Sequence, residues 1–520
     1  MARNIHSRLH LYGTLVTLSP LHVGGYGEDV DSDLPLARNG AGQLYIPGTS
    51  LAGALRQWCE ESFDHPDTEY GEGRHPTEQV WGYQDRRTFM PNEKDPSHAS
   101  FVVVDDAVIE NSETVVVEIR DHVGIDREYG AAAEHIKYDR AILPRGTRLN
   151  LRVTLDVTER GQRDQALAML AVLKQALEAG EVRLGAAKTR GLGHVLLKGG
   201  QLTELGFGSR QSILASLRQA NGAVVSKTDI DAATHPTQKR PRLTLTIHWK
   251  PVGPLMVKAG FDGIAADMLP LVSGCEDKIS LVLPGSSIKG AFRSQAERIV
   301  RTLRGDTSPS WLGTEGKKKF LNAVNVELIN ELFGTAKQVE NKPHLGLGAL
   351  GVIDCFGQHR LTVAQWQAIQ AATDDQQLRK AMADAGLQPW SQAYHVAIDR
   401  WLGSAADSML YTVLEPHCTQ WEPLTLEVNL QRLPDKELLP AIALLLLVVR
   451  DLANDRLPLG FATHRGMGTV QVTGLTIEAQ GLEGDLAPLT EIQLVDGKFH
   501  NLPEKLKTAW SDWANQEVPA

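Results

Sequence analysis

HVGIDR at residues 122–127 returns as HVAIDR at residues 395–400, with a single residue changed. The longer blocks on either side recur in the same order, PGTSLAGALR (47–56) as PGSSIKGAFR (284–293) and LGAAKTRGLGHV (184–195) as LGFATHRGMGTV (459–470). The spacing between copies grows from 237 residues in the first block to 273 in the middle block and 275 in the last. Ordered self-similarity of this kind predicts one structural module written twice, with an insertion in the second copy.

Each copy shows the same predicted order of elements. RLHLYGTLVTL (8–18) and RLTLTIHW (242–249) largely alternate apolar and polar residues, which is the period of a half-buried strand. The Pro-Gly turn that follows, with its Thr-Ser or Ser-Ser pair, predicts the start of a helix. Strand, helix, strands, helix, strand is the order of a ferredoxin-like, or RRM-like, sheet, which is widely used to bind RNA. The predicted fold class is therefore α+β, with two tandem modules.

Matched residues continue beyond the hexapeptides, since Tyr138 and Tyr411 are also 273 residues apart. Two extended arms around a tip of small residues predict a protruding β-hairpin in each module, with Arg127 and Arg400 at the hairpin base. The predicted boundaries are residues 1–205 for the first module, 206–240 for a linker, 241–480 for the second module with a helical insertion near 360–390, and 481–520 for a C-terminal extension.

Composition sets broad limits. The 520 residues are enough for two or three domains. Four cysteines without a C-x-x-C pair fit a reducing compartment, and the most apolar run (440–449) is too short to cross a bilayer, so a cytoplasmic protein without a membrane partner is expected. A net charge of −10 argues mildly against binding naked nucleic acid, although residues 289–304 are locally basic.

Two features of each module are candidate RNA contacts. Glycines beside Arg190 and Arg465 would let the backbone approach a phosphate that the guanidinium can bind, and a helix N-terminus attracts anions. Turns, capping and core packing are the alternative roles, and His122 and His395 could equally be satisfied by local hydrogen bonds. The full set of candidate RNA-binding residues is His22, Ser50, Arg56, His122, Arg127, Lys188, Arg190, Ser287, Lys289, Arg293, His395, Arg400 and Arg465.

The loops between the first strand and first helix of each module are long, and long loops in compact domains are often functional. Both carry an acidic residue shortly before Leu-Pro-Leu. The acidic residues concerned are Asp29, Asp31 and Asp33 in the first loop, and Asp262 and Asp267 in the second. Exposed solvated side chains are the alternative interpretation of any one of them.

Taken together, the motifs resemble those of the RAMP superfamily of CRISPR-Cas systems, and most of all the repeated backbone subunits of type III interference complexes. The features that carry the resemblance are LHVGG, Asp33-Leu34-Pro35, YIPGTSLAGALR, the IDR hairpin and GAAKTRGLGHV. They recur in a second set, so that the resemblance spans nearly the whole chain. Two such modules in one chain look like the fused backbone subunit of subtype III-D variants.

The resemblance implies a function. Each ferredoxin-like palm would bind guide RNA, each hairpin thumb would wedge into the guide–target duplex, and target RNA would be cut beside each wedge. Guide RNA, target RNA and other subunits of the interference complex are the implied partners. Asp33 falls on the family's catalytic aspartate, and Asp267 on its second copy, although Asp267 stands three residues before Pro270. His22 has no counterpart in the second module.

The chemistry needs few groups, because RNA supplies its own nucleophile, the 2′-hydroxyl. A site must hold one nucleotide near in-line geometry and stabilise charge on the phosphate. Aspartate is a weak base at neutral pH, which favours binding Mg²⁺ or another divalent cation, or orienting the substrate. The expected activity is thus an endoribonuclease that cuts at two sites. A non-catalytic guide-binding scaffold and a ribonuclease that processes the guide precursor are the alternatives.

Overall fold

The structure is a computed structural model, and it describes residues 4–25, 32–63, 75–84, 97–110, 115–127, 129–158, 163–218, 222–233, 240–260, 263–305, 320–321, 324–335, 346–482 and 484–516. The chain divides into two compact units. The first consists of residues 1–117, 142–188 and 193–240, and the second of residues 118–141, 189–192 and 241–520. Two segments of the first repeat, the hairpin and part of the glycine-rich block, therefore belong to the second unit.

Both units contain strands and helices. The strands are, in chain order, β1 (Ser7–Thr17), β2 (Tyr45–Ile46), β3 (Val102–Val104), β4 (Ala107–Val108), β5 (Glu118–Ile125), β6 (Ala132–Ile142), β7 (Arg148–Val157), β8 (Arg190–Gly191), β9 (Val195–Gly206), β10 (Ala223–Val224), β11 (Arg242–Pro251), β12 (Val272–Cys275), β13 (Lys278–Leu283), β14 (Leu350–Ile353), β15 (Cys355–Phe356), β16 (Ser391–Ile398), β17 (Ala405–Glu415), β18 (Leu424–Asn429), β19 (Val470–Gln480), β20 (Gln493–Val495) and β21 (Lys498–His500). The α-helices are α1 (Gly48–Phe63), α2 (Pro76–Trp81), α3 (Arg163–Glu178), α4 (Arg210–Arg218), α5 (Lys227–Ala233), α6 (Gly285–Arg304), α7 (Ile329–Phe333), α8 (Val363–Ala371), α9 (Asp375–Asp384), α10 (Asp435–Ala453) and α11 (Glu504–Ala514).

The central sheets of the two units have matching strand orders. In the first unit the order is β10-β9-β1-β7-β3, and in the second it is β19-β11-β18-β14-β8. β9, β1, β7 and β3 pair antiparallel, as do β19, β11, β18 and β14. Both repeats even share an irregularity in the pairing of their first and last strands, at Tyr12/Thr14 and at His248/Trp249. The expectation of a mixed α+β chain with a repeated module is confirmed.

Alternation along the strands explains the cores. Leu9 and Leu11 of β1 are fully buried, and so are Leu245 and Ile247 of β11, because successive side chains of a strand point to opposite faces of the sheet. In the second unit this apolar face lies in one cluster with Phe292 of α6. Helices α3 and α10 supply long runs of buried aliphatic residues in their respective units.

Each hexapeptide forms one arm and the turn of a two-stranded hairpin, β5-β6 or β16-β17. The Asp399 amide donates to the Ser404 carbonyl (2.8 Å) and the Gly403 amide donates to the Asp399 carbonyl (2.8 Å); the first hairpin has the same bonds. Because the strands end at Ile125 and Ile398, Arg127 and Arg400 lie in the turn at the hairpin tip. The expectation that these arginines lie at the base is therefore wrong.

The remaining segments add to the two units. Residues 206–240, expected as a linker, hold α4, α5 and strand β10, which pairs with β9. The region of the expected insertion holds α8 and α9, which begin at side-chain caps on Thr362 and Asp374. The C-terminal extension ends in α11, whose Leu506 and Trp513 join the core of the second unit.

Candidate nucleic-acid interface

A histidine, a tyrosine and an arginine from the first repeat meet at the first hairpin. The rings of His122 and Tyr138 stack, with centroids 4.9 Å apart and planes 20° apart. Arg190 Nη1 donates to the Tyr138 hydroxyl at 3.2 Å. The hairpin and the glycine-rich block, which are far apart in sequence, thus come together at one tyrosine.

The second repeat builds the same arrangement. His395 stacks on Tyr411 with centroids 5.3 Å apart and planes 14° apart, and Arg465 donates a hydrogen bond to the Tyr411 hydroxyl. The two tyrosines were matched by spacing but were missing from the candidate residues. A tyrosine that recurs in register with a histidine and an arginine was the available signal.

Backbone geometry explains why the glycine-rich blocks recur. Gly185 and Gly460 have φ of 72° and 87°, and a Cβ at either would collide with the carbonyl of His22 or Met256. That close approach lets the Ala186 amide donate to the His22 carbonyl at 2.9 Å, and the next repeat has the same bond at Met256. The glycines therefore fix each block against the start of its acidic loop.

The two acidic loops form the same backbone hydrogen bond at equivalent positions of the two repeats. The Gly25 amide donates to the Pro35 carbonyl (3.0 Å), and the Ala259 amide donates to the Leu269 carbonyl (2.8 Å); each pair is 234 residues from its counterpart. Asp33 and Asp267 are also 234 residues apart, so they occupy equivalent positions despite the shifted proline. Both side chains are exposed. Asp29, Asp31 and Asp262 lie outside the described residues.

Asp267 is held at the base of the second hairpin. Its Oδ2 accepts from the Thr412 amide (2.7 Å) and from the Thr412 hydroxyl (2.9 Å), beside Tyr411 with its stacked His395. A carboxylate, an imidazole and the Arg465 guanidinium thus surround two consecutive hairpin residues. At the position of Thr412 the first repeat has Asp139.

One arginine of the first hairpin is buried. Arg140 is 6% exposed, and its Nε and one Nη have no hydrogen-bond partner among the described residues. Burial lowers the pKa of Arg140, and the charge of Arg190 adds to the effect. Buried cations are normally paired. This unsatisfied guanidinium lies beside a second arginine, and sequence reasoning missed it.

Lys289, in the first turn of α6, is close enough to Arg190 for their charges to interact. Lys289 as a whole is 6% exposed, and its ammonium donates to the Leu350 carbonyl at 2.6 Å. Burial, with the charges of Arg190 and Arg293, lowers the pKa of Lys289 to about 7. This lysine is in place to stabilise the strand end, and it adds positive potential without presenting its ammonium at the surface.

Several other predicted RNA contacts are engaged within the protein. Arg127 Nε donates to Glu297 at 2.6 Å, and Arg293 Nε donates to the same carboxylate at 2.7 Å. Arg56 pairs with Glu60 at 2.8 Å. These three arginines are therefore paired with carboxylates of the protein itself.

The rest of the predicted set differs in exposure. His22 is buried at 4% exposure, Ser50 and Arg400 are exposed, and Ser287 and Lys188 are half-buried. The Lys188 carbonyl accepts from Arg183 at 3.2 Å. Among the described residues, no group of three acidic, histidine or cysteine side chains could hold a metal ion.

Comparison with known families agrees with the repeated architecture. The model of the RAMP superfamily matches residues 14–195 and 270–471, which together are more than half of the chain. The chain therefore belongs to the RAMP superfamily, whose members work in CRISPR ribonucleoprotein complexes with RNA and other subunits. No curated protein matches the sequence. Within the part of the chain that the structure describes, no helix is long and apolar enough to cross a membrane.

Proposed function

We propose that this chain is a guide-RNA-binding backbone subunit of a type III CRISPR effector complex. Each repeat would act as a ferredoxin-like palm, and the antiparallel strand orders β9-β1-β7-β3 and β19-β11-β18-β14 support that description. The hairpins would act as thumbs that separate stacked bases. Their tips carry the exposed aromatic residues Tyr129 and Trp401, which are 73% and 93% exposed and suited to stacking on bases.

The observation that best supports RNA binding is the unpaired guanidinium of Arg140 beside Arg190. A backbone phosphate would satisfy the free nitrogens of Arg140 and, through Arg190, stay linked to Tyr138 at the hairpin base. Charge-assisted hydrogen bonds of this kind are strong and bidentate. Because Val413 stands at the position of Arg140 in the second repeat, the first hairpin is the stronger phosphate site.

Cleavage of the target RNA is the second part of the proposal. The 2′-hydroxyl attacks the adjacent phosphorus, its proton leaves to a base, and the 5′-oxygen departs with a proton. Near Asp267, His395 could move a proton and Arg465 could stabilise the phosphate charge. A divalent cation, when bound, would neutralise phosphate charge. Asp33 and Asp267 each offer one carboxylate, which fits Mg²⁺ only with RNA phosphates as further ligands.

A scaffold without activity is the competing function, and one contact favours it in the second repeat. Both Thr412 donors bind Oδ2 of Asp267, so this carboxylate already joins the loop to the hairpin. Asp33, which stands in the Asp-Leu-Pro context that the resemblance links to the family's catalytic aspartate, is the better candidate for catalysis.

Single alanine variants separate these functions. Asp33→Ala should abolish one product from a guide-matched RNA, Asp267→Ala should abolish the other, and target binding should persist, because each removes one carboxylate from one site. Asp277→Ala, at an exposed turn of the second unit, is the matched control. A 2′-deoxy nucleotide at one cut position should block that cut alone. Survival of both products in the double variant with divalent ions present would leave the scaffold as the function.

A further inference from the structure

The first repeat's hairpin is fixed in the second unit by an arginine that is completely enclosed. Arg120 Nη1 donates to Asp354 Oδ2 at 2.5 Å, and the two side chains are 4% and 0% exposed. Oδ1 of Asp354 accepts from the Gly285 amide at 2.7 Å, at the start of α6. One carboxylate thus joins the hairpin to the first turn of a helix.

Two more polar contacts complete this joint. Glu118 accepts from the Ser273 hydroxyl at 2.7 Å and from the Gly274 amide at 2.5 Å. At the other end of the hairpin, Arg127 bonds to Glu297 of α6. The hairpin therefore presents an acid and two arginines to complementary groups on the second repeat.

The first repeat has the same acceptor groups. Asp106 Oδ1 accepts from the Gly48 amide at 2.7 Å, just as Asp354 accepts from Gly285. Glu60 lies one turn after Arg56 in α1 and matches Glu297 in α6. We call Asp106, Glu60 and the α1 start at Gly48 the acidic socket.

The acidic socket differs from its counterpart in being open. Asp106 is exposed, and Glu60 is 43% exposed where Glu297 is 3% exposed. Among the described residues, the Gly48 amide is the single donor to Asp106, and Arg56 is the single cation on Glu60. Two carboxylates that bind arginines in the second repeat thus lack those arginines in the first.

The chain's own second hairpin matches the socket poorly. It keeps an arginine at its tip, Arg400, which is exposed and has no partner among the described residues. Ser391 and Ala393 stand where the first hairpin has Glu118 and Arg120. A second copy could therefore supply one of the three polar contacts of the joint, and it would leave Asp106 without a cation.

We propose that the acidic socket binds a β-hairpin of a separate RAMP chain, one that carries arginines at the positions of Arg120 and Arg127. The same requirement for two arginines excludes self-assembly, because Ala393 cannot pair with Asp106 and burying an unpaired carboxylate is costly. This inference goes beyond RNA binding and cleavage. The acidic socket would give the first repeat one neighbour. The mismatch between the socket and the second hairpin would prevent the chain from forming open-ended filaments with itself.

Introducing the side chains of Glu118 and Arg120 at the equivalent positions of the second hairpin tests the proposal. Full-length protein with Ser391→Glu and Ala393→Arg should self-associate head to tail in sedimentation velocity, whereas wild type should sediment as a monomer. Adding Asp106→Lys should weaken that association at least about tenfold. Asp105→Lys, at the exposed neighbouring residue, is the control and should leave it unchanged.

A charge swap provides a second, independent test of the proposal. In the same background, Arg400→Glu should weaken association and a further Glu60→Arg should restore it. A folded double variant that stays monomeric would overturn the proposal, as would association that Asp106→Lys does not affect. Wild-type filaments sensitive to Asp106→Lys would overturn the exclusion of self-assembly. No RNA enters these measurements, so their failure is distinct from failure of the cleavage assay.

Discussion

Removing the Asp354 carboxylate should release the first hairpin from the rest of the second unit. In the Asp354→Ala variant, Arg120 would remain enclosed without its ion-pair partner, and the Gly285 amide would lose its acceptor. Both groups are then buried and unsatisfied. Because a charge inside a protein interacts with its surroundings much more strongly than one in water, the hairpin should open to solvate the guanidinium.

The size of the effect follows from burial. Removing one partner of a buried ion pair costs about 3–5 kcal/mol, and these side chains are 4% and 0% exposed. An amide without an acceptor adds about 1–3 kcal/mol. Relaxation of the hairpin reduces the sum, so we expect the free energy of local opening to fall by about 4 kcal/mol, or about a thousandfold in the opening equilibrium.

Hydrogen exchange measured by mass spectrometry checks this expectation. Peptides from β5 and β6 should lose protection in Asp354→Ala, and peptides from β16 and β17 should not change. The second hairpin is thus an internal control in the same sample. Asp354→Asn keeps an acceptor for Gly285 and should have a smaller effect. Unchanged protection of β5 and β6 in the alanine variant would refute the assignment of Asp354 as the anchor.

Two further outcomes follow from the cationic residues. Burial lowers the pKa of Lys289 to about 7, so the unfolded chain binds that proton more tightly and stability rises with pH between about 7 and 10. In urea titrations, the Lys289→Met variant should lose about 3 kcal/mol of this rise. Equal pH profiles of the variant and the wild type would contradict the burial argument. Arg140→Met and Arg190→Glu should each weaken guide-RNA binding and reduce its salt slope by about one, whereas Arg379→Glu, on the exposed insertion, should change neither.

Much of the fold could be predicted, because its signals are local or repeated. Alternation in β1 and β11 predicted strands, and the repeated blocks predicted matching modules. The position of Arg127 could not be predicted in this way. Its partner Glu297 is 170 residues away, and periodicity reports which face of an element is apolar, but not which distant side chain it meets. Arg127 also follows the strand end at Ile125 by two residues, and strand ends are the part of an element that sequence predicts least well.

The candidate site was predicted in part for the same reason. His122, Arg190 and their counterparts were found because they recur at fixed spacing. Arg140 was missed because Val413 replaces it in the second repeat, so that a search for repeats excludes the residue that makes the first site different. Burial without a partner identifies it, and burial of one polar residue in a strand is visible only in three dimensions.

The position of the joint suggests why two RAMP modules share one chain. The hairpin, Arg190 and the start of α6 come from both repeats, yet all lie in the second unit. A covalent connection makes their meeting intramolecular, with an effective concentration that separate chains do not reach. The acidic socket has no such advantage, because its hairpin must arrive from another molecule. Its specificity must then rest on contacts alone, and two exposed carboxylates that an arginine-bearing hairpin can neutralise meet that requirement.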